Sequence, residues 1–388
     1  MGIKLSLKQR SVISVVALVA MGLWPLRGFT WANHARITEL SLEGVSALQG
    51  KTLIYHPFQV FLSKVGISDE KAFNEFIQIH KSYRFRPELK EEDAKGVSLL
   101  SVLSKYADEP DWEMDQNLFE ADQYPELWQG AYAMMGGKTG IPSQAHRHLY
   151  WRKFSFLSPV KTFHLPTPHA LGLAKERAQI FLNLSEQAKS VGEPYWQVRF
   201  FSNALHYLQD ISSPFHSTQT PTKRFLGMGF RKSHFLSFGD FVKKTTKIVT
   251  YYHFSFEDFI GEVLSGQIHP KTDVDLLEAL KAAPGPKLAS KLKEASKDFG
   301  TLFDLLHRSS EKNSAKAART AIQFFPKLPK KIDEFEAHAY MDAIWWEDVK
   351  KRAATESKTQ KSYMGVVRNL FELLGESMRL FVLEELKL

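Results

Sequence analysis

The sequence predicts an all-α fold, and three observations lead to this prediction. Apolar residues recur three and four positions apart along residues 196–210, as one face of a helix requires. The same spacing returns in later segments, most strongly in the last of them: 276–282, 287–297, 301–306 and 363–386. Regular alternation of apolar and polar residues between turn signals, which is typical of strands, is scarce.

Breaks in this helical pattern predict how the chain is organised. Two stretches that contain several glycines and prolines, residues 123–142 and 218–249, are predicted to be loops. A further break, Ala-Pro-Gly-Pro at residues 283–286, divides the chain. We expect a first helical domain over residues 31–282, which carries the candidate site, and C-terminal helices over residues 287–388 that pack on it or extend it.

Composition limits the kind of protein and the kind of site. The chain has 388 residues, of which 44% are hydrophobic, so it can bury a substantial core and is not disordered throughout. It contains no cysteine. Disulfides are therefore excluded, and any metal ion must be bound by nitrogen and oxygen atoms.

The first thirty residues have the pattern of a secretory signal peptide. Lys4, Lys8 and Arg10 precede an uncharged run over residues 12–24, which is short for a spanning helix. We expect residues 1–30 to be removed and the protein to be exported, either periplasmic or secreted; an uncleaved inner-membrane anchor is the alternative. Removal lowers the formal net charge from +8 to +4, and so modest a value does not by itself indicate nucleic-acid binding.

Two short motifs have the residue types and spacing of metal sites. His206 and Asp210 are four apart on a predicted helix, so their side chains share one face, and His216 follows after a Ser-Ser-Pro turn. Two imidazoles and one carboxylate suit zinc or another divalent transition metal. His253 and Glu257 form a second pair four apart. A lone histidine is more often a core or surface residue, and an amphipathic helix with an exposed glutamate would explain the second pair.

The order His206-x3-Asp210-x5-His216, followed by His253-x3-Glu257, resembles the zinc-dependent phospholipase C family of bacteria. Fungal single-strand-specific zinc nucleases share the fold of that family. The resemblance implies a helical domain that binds three zinc ions. It also implies further ligands, which match Trp31 and His34 in Trp-Ala-Asn-His, Asp108 in Tyr-Ala-Asp, and His148 in Arg-His-Leu-Tyr.

Carried over to this sequence, the resemblance divides the ligands into three sets. One zinc ion would be held by Asp108, His148, His206 and Asp210. The second would be held by His216, His253 and Glu257, and the third by Trp31, His34 and the other oxygen of Asp210. Asp108 would also act as a catalytic base. The resemblance covers about residues 31–260 as an ordered set of motifs, not as continuous similarity.

Two of these assignments have alternatives. The interval between Asp108 and His148 is longer than in the small bacterial phospholipases, so His146 competes with His148 as a ligand. Trp31 can bind through its amino group only if cleavage follows Thr30. Cleavage after Ala32, a more ordinary small-residue site, would remove Trp31.

The predicted reaction is hydrolysis of a phosphodiester, and the substrate has two candidates. The His-x3-Glu form of the second motif resembles the phospholipases more than the nucleases. Residues 219–249 combine five phenylalanines with seven Lys or Arg and one Asp, and we expect them to contact phospholipid or a membrane surface. The same mixture suits a single strand of nucleic acid, or a basic loop that packs on the domain. A noncatalytic zinc protein is the third alternative, and no protein partner is inferred.

Overall fold

Helices form nearly all of the regular structure in the computed structural model, which describes residues 33–69, 72, 96–111, 148–151, 172–218, 221–233, 238–272, 275–328 and 341–387. The all-α prediction is confirmed. In chain order the helices are α1 (His34–Leu42), α2 (Phe58–Lys64), α3 (Leu99–Lys105), α4 (Ala174–Ser190), α5 (Pro194–Ser212), α6 (Pro214–Ser217), α7 (Lys223–Lys232), α8 (Phe238–Leu264), α9 (Leu276–Lys281), α10 (Pro286–Ala295), α11 (Phe299–Phe324), α12 (Ala343–Ala353) and α13 (Lys358–Glu385).

Short elements complete the described structure. Strands β1 (Thr52–Leu53) and β2 (Val97–Ser98) pair antiparallel, with Thr52 opposite Ser98. A 3₁₀ turn over Ser46–Leu48 follows α1, and a second one over Tyr106–Asp111 continues directly from α3. Two strands of two residues each are too short to form a layer of their own, so the packing of helices determines the architecture.

Helix α5 is the central element of the fold. Every residue of 198–212 is buried, since α3, α4, α11 and the 3₁₀ turn at Tyr106–Asp111 surround it. Pro194 occupies the first helical position, where a backbone N–H would have no partner within the helix. The helix ends at Ser212 because Ser213 precedes Pro214 and takes an extended conformation. A helix buried on all sides is ordinarily apolar throughout, so the polar residues on α5 require partners.

One loop prediction is wrong. Residues 218–249, predicted to be a loop, contain α7 and the first part of α8. Gly229 does not mark a turn there: a Cβ at this position would lie 2.0 Å from Oγ1 of Thr245, so glycine allows α7 to approach α8 closely. The other predicted loop, residues 123–142, lies outside the described residues, as do the predicted signal segment 1–30 and Trp31.

The last helix packs against helices on both sides of the predicted break at residues 283–286. Helix α13 contacts α1, α9 and α11, and the rings of Phe201 in α5 and Phe381 in α13 lie 5.3 Å apart. At Gly375 a Cβ would lie 1.9 Å from the carbonyl oxygen of Leu280 in α9. The helices after residue 286 thus share a core with those before it. No helix within the described ranges is both long and apolar enough to cross a bilayer.

Candidate metal centre

Three groups of histidine and carboxylate side chains lie close enough together to hold metal ions. Within each group one ligand atom per residue lies within 4.8 Å of the others. The groups are His34, His206 and Asp210; Asp111, His148 and His206; and His216, His253 and Glu257. All are buried except Asp111 and His253, which are partly exposed.

The helices explain why these side chains converge. Helix α5 places His206 and Asp210 on one face, and the break at Ser213 allows α6 to bring His216 back to the same end. Helix α8 presents His253 and Glu257 one turn apart. The other donors arrive from separate segments, with His34 at the first position of α1.

Asp210 lies between the groups. Its Oδ1 is 3.6 Å from Nε2 of His34 and 3.5 Å from Nδ1 of His216. Its Oδ2 is 2.7 Å from Nδ1 of His148 and 3.3 Å from Nε2 of His206. Burial acts to raise the pKa of Asp210, but the surrounding histidines hold this pKa well below its usual range. The carboxylate is therefore ionised, and each oxygen faces a different pair of histidines.

Backbone carbonyls fix the orientation of two imidazoles. Nδ1 of His206 lies 2.7 Å from the carbonyl oxygen of Ala107, and Nδ1 of His216 lies 2.7 Å from that of His148. Because a carbonyl oxygen only accepts, both Nδ1 atoms must donate. In the neutral ring the lone pair is then on Nε2. Nε2 of His206 lies 2.8 Å from Nδ1 of His148, and Nε2 of His216 lies 3.0 Å from Oε1 of Glu257. A metal-binding histidine is commonly held in this way.

Gln209 positions the histidine of α1. Nδ1 of His34 lies 3.0 Å from Oε1 of Gln209, whose amide nitrogen donates to Thr38 at 2.7 Å. Burial, together with the nearby imidazole of His206, lowers the pKa of His34 well below its ordinary value. The ring is therefore neutral, as a metal ligand must be, with Nε2 directed at Asp210.

Within the described part of the chain, several buried atoms of the centre have no hydrogen-bond partner. They are Nε2 of His34, Nε2 of His148 and Oδ1 of Asp210. Nε2 of His216 and Nε2 of His253 face only the carboxylate of Glu257. Native proteins rarely leave buried polar atoms unsatisfied, because each such atom costs about 1–3 kcal/mol. Bound cations would satisfy this set of inward lone pairs. The donor chemistry of the residues therefore fits metal ions.

Glu257 faces a histidine with each of its oxygens. Oε1 lies 3.0 Å from Nε2 of His216, and Oε2 lies 2.9 Å from Nε2 of His253. Ser213 also donates to Oε1 at 3.3 Å. Burial opposes ionisation, but His253 and His216 lower the pKa of Glu257 below its ordinary value. In this group, one ionised carboxylate therefore lies between two imidazoles.

The turn at Tyr106–Asp111 supplies a carboxylate that the sequence reasoning missed. Oδ1 of Asp111 lies 3.7 Å from Nε2 of both His148 and His206. Asp108 belongs to none of the three groups; its Oδ1 accepts the backbone N–H of Ala35 at 3.0 Å. Burial raises the pKa of Asp108 to about 6. Its role as ligand and base remains a prediction.

The missed residue had a weak signal in the sequence. A 3₁₀ helix has three residues per turn, so Asp108 and Asp111 lie on the same side of this turn. The motif Tyr-Ala-Asp matched only the first of them. Without knowledge that the segment is a 3₁₀ turn, the sequence could not indicate that Asp111 also faces the centre.

A buried ion pair anchors this turn to α5. Nε of Arg199 donates to Glu109 at 3.1 Å, and Nη2 donates to the other carboxylate oxygen. Asn203 donates to both Glu109 and the carbonyl of Tyr106, at 3.1 and 2.9 Å. The guanidinium also lies 4.0 Å from the ring centre of Tyr106. Removing one partner from a buried pair costs about 3–5 kcal/mol, so the pair fixes the position of Asp111.

The structure brings seven of the nine predicted ligands into the three groups: His34, His148, His206, Asp210, His216, His253 and Glu257. Asp108 lies beside the groups. Trp31 and the competing ligand His146 lie outside the described residues.

Comparisons with known proteins give no relative for this chain. No protein-family model, no curated protein and no solved structure matches it. Functional inference therefore rests on the residues of the centre and on their geometry.

Proposed function

We propose that this protein is an exported zinc-dependent hydrolase of phosphodiester bonds, of the phospholipase C type, that acts on phospholipids. The observation that carries the proposal is the convergence of three His and carboxylate groups around Asp210, with their free lone pairs directed inward. Clustered metal sites of this kind suit phosphodiester hydrolysis, in which negative charge develops on several oxygens at once.

Zinc is the metal that best suits these donors. Imidazole nitrogens and carboxylate oxygens, without thiolates, form catalytic zinc sites with three protein ligands and one open position. The group of His216, His253 and Glu257 supplies three such donors. When bound, zinc activates water and neutralises charge on phosphate oxygens.

His206 can serve only one of the two groups that contain it. Its Nδ1 donates to Ala107, so a single lone pair, on Nε2, is left for a metal. We assign His206 to the ion held with His148 and Asp111, which Oδ2 of Asp210 also faces. The remaining group, His34 with the other oxygen of Asp210, then needs a further ligand. Trp31, the predicted N-terminus of the mature protein, is our proposed donor, which gives three zinc ions in all.

The chain's own residues would hold the metal ligands in place before the substrate enters. Gln209 and the carbonyls of Ala107 and His148 hold imidazole rings in fixed positions, so little reorganisation is needed when a phosphodiester enters. Asp108 keeps its proposed role as the base that accepts a proton during the attack on phosphorus, since its carboxylate lies near Asp111 in the turn and near the backbone N–H of His34 in α1.

The decisive experiment assays the purified protein with zinc on two substrates. We expect it to release diacylglycerol from phospholipid vesicles, and to lose this activity with EDTA and in the Glu257→Gln variant. The matched control is His269→Ala, since His269 is exposed and outside the three groups. Degradation of single-stranded DNA or RNA instead would make the protein a nuclease. Zinc binding without cleavage of either substrate would make it noncatalytic.

A further inference from the structure

The solvent-facing side of α7 combines cations with one aromatic ring. Lys223, Arg224, Phe230 and Arg231 are exposed, and Phe230 keeps 67% of its surface accessible. Residues seven apart in a helix lie nearly on one line. Lys223 therefore lines up with Phe230, and Arg224 lines up with Arg231. The second line is displaced from the first by about 100° around the helix. We refer to these four residues as the α7 face.

The α7 face has an unbalanced positive charge. Helix α7 contains four Lys or Arg residues and no acidic residue. Lys223, Arg224 and Arg231 form no ion pair with any residue that the structure describes. Large apolar side chains that are exposed are few in the described ranges, and Phe230 is the one aromatic among them. An anionic partner with an apolar layer beneath its charges would complement this face.

The opposite side of α7 is fixed to the protein. Phe225 is fully buried and stacks on Tyr252, with ring centres 5.3 Å apart. Gly229 allows contact with Thr245, where any larger residue would clash. Because this packing sets the rotation of α7, the cations and Phe230 are held outward.

The buried side of α7 lies near the candidate metal centre. The ring of Phe215 lies 6.5 Å from that of Phe225 and stacks on His253 at 5.3 Å, with an angle of 5° between the planes. The side chain of His253 is 15% exposed, more than any other residue of the three metal groups. Two aromatic contacts therefore connect α7 to the most exposed ligand of the centre.

We propose that the α7 face docks the protein on the surface of an anionic phospholipid bilayer. This inference rests on the proposed phospholipase function and deepens it by naming the docking helix. Lys223, Arg224 and Arg231 bind lipid phosphates, and Phe230 inserts its ring at the boundary between headgroups and acyl chains. A single strand of nucleic acid fits less well, because binding such a strand relies on several successive aromatic stacking partners and this face offers one.

The test is cosedimentation of the full-length chain with vesicles in EDTA. We expect binding to vesicles of phosphatidylglycerol and phosphatidylcholine, and much weaker binding to phosphatidylcholine alone. The double variant Arg224→Gln/Arg231→Gln should bind about 30-fold more weakly, at about 1 kcal/mol for each cation. Phe230→Ser should weaken binding up to about tenfold. Ile344→Ser, at an apolar residue of α12 that is 79% exposed, should change nothing. Every variant contains the same apolar segment, residues 12–24. A difference in vesicle binding between variants is therefore due to the substituted residue.

Two results would overturn the proposal. One is equal binding of the α7 variants and the Ile344→Ser control to anionic vesicles. The other is a single-stranded oligonucleotide that binds through Arg224, Phe230 and Arg231 while vesicles do not. Circular dichroism of each variant verifies folding. Because EDTA removes metal, vesicle binding is measured independently of catalysis. If binding depends on α7 but the separate assay with zinc shows no diacylglycerol release, docking is supported and the phospholipase proposal fails.

Discussion

Nδ1 of His148 lies 2.7 Å from Oδ2 of Asp210, although 62 residues separate the two in the chain. Both side chains are fully buried. Burying a carboxylate among imidazoles is unfavourable unless the remaining lone pairs find partners. Oδ1 of Asp210 and Nε2 of His148 have none among the described residues. The pair therefore defines the point at which bound metal would stabilise the fold, and it leads to the first prediction.

Asp210→Asn should remove more metal than Glu257→Gln. The oxygens of Asp210 face two groups, whereas Glu257 belongs to one. We expect Asp210→Asn to lose more than one zinc ion per chain and Glu257→Gln to lose one, as measured by elemental analysis after dialysis. Asp304→Asn, at a half-exposed carboxylate of α11, is the control. Equal losses in the first two variants would contradict a shared role for Asp210.

Asp111→Asn should weaken metal binding at His148 and His206. Its Oδ1 lies 3.7 Å from both imidazoles, so we expect affinity to fall on the order of 10–100-fold, as measured by competition with a zinc-binding dye. Asp108→Asn provides the comparison, since Asp108 accepts the Ala35 N–H instead. Loss of metal in Asp108→Asn alone would assign the ligand to Asp108. Full activity and full zinc content in that variant would exclude it as ligand and base.

As the pH rises, the stabilisation that comes from protonated histidines should decrease, and the stabilisation that comes from bound zinc should increase. Burial acts to lower the pKa of His206 and His216, but nearby carboxylates raise both pKa values to about 9. Protonation thus stabilises the metal-free fold; this contribution is complete below the ordinary pKa of 6.5 and is lost as the pH rises through about 9.

Zinc binds the deprotonated rings, so the increase in Tm caused by zinc should grow between about pH 6 and pH 8.5. Thermal unfolding in EDTA and in zinc at each pH measures both trends. A zinc-induced shift in Tm that does not vary with pH would contradict metal binding through His206 and His216.

Gly375→Ala should destabilise the protein, while Gly365→Ala on the same helix should not. A Cβ at Gly375 would lie 1.9 Å from the carbonyl oxygen of Leu280. Apart from its chain neighbours and the nearby backbone of its own helix, a Cβ at Gly365 would have no described atom within 4 Å. We expect Gly375→Ala to lower the free energy of unfolding by about 1–3 kcal/mol. Gly365→Ala should raise it by up to about 1 kcal/mol, because alanine favours helix. Urea unfolding measures both, and equal effects would contradict the close packing of α13 on α9.

Local helix geometry made part of this centre predictable. His206 with Asp210, and His253 with Glu257, are four apart, and the period of an α-helix places such residues on one face whatever surrounds it. Pro214 ends α5 and brings His216 back, which is also a local effect. The all-α class followed from the same periodicity.

Packing between distant segments decided the rest. The sequence could not show that Asp111 would join His148 and His206, because this depends on a 3₁₀ turn held by the Glu109–Arg199 pair. The loop prediction for residues 218–249 was wrong for a similar reason, because Gly229 allows a close contact between two helices and does not form a turn. The sequence by itself determined the helices and the ligand pairs within each of them. Only the tertiary structure decided which pairs meet, because contacts between segments far apart in the chain depend on how whole helix faces pack.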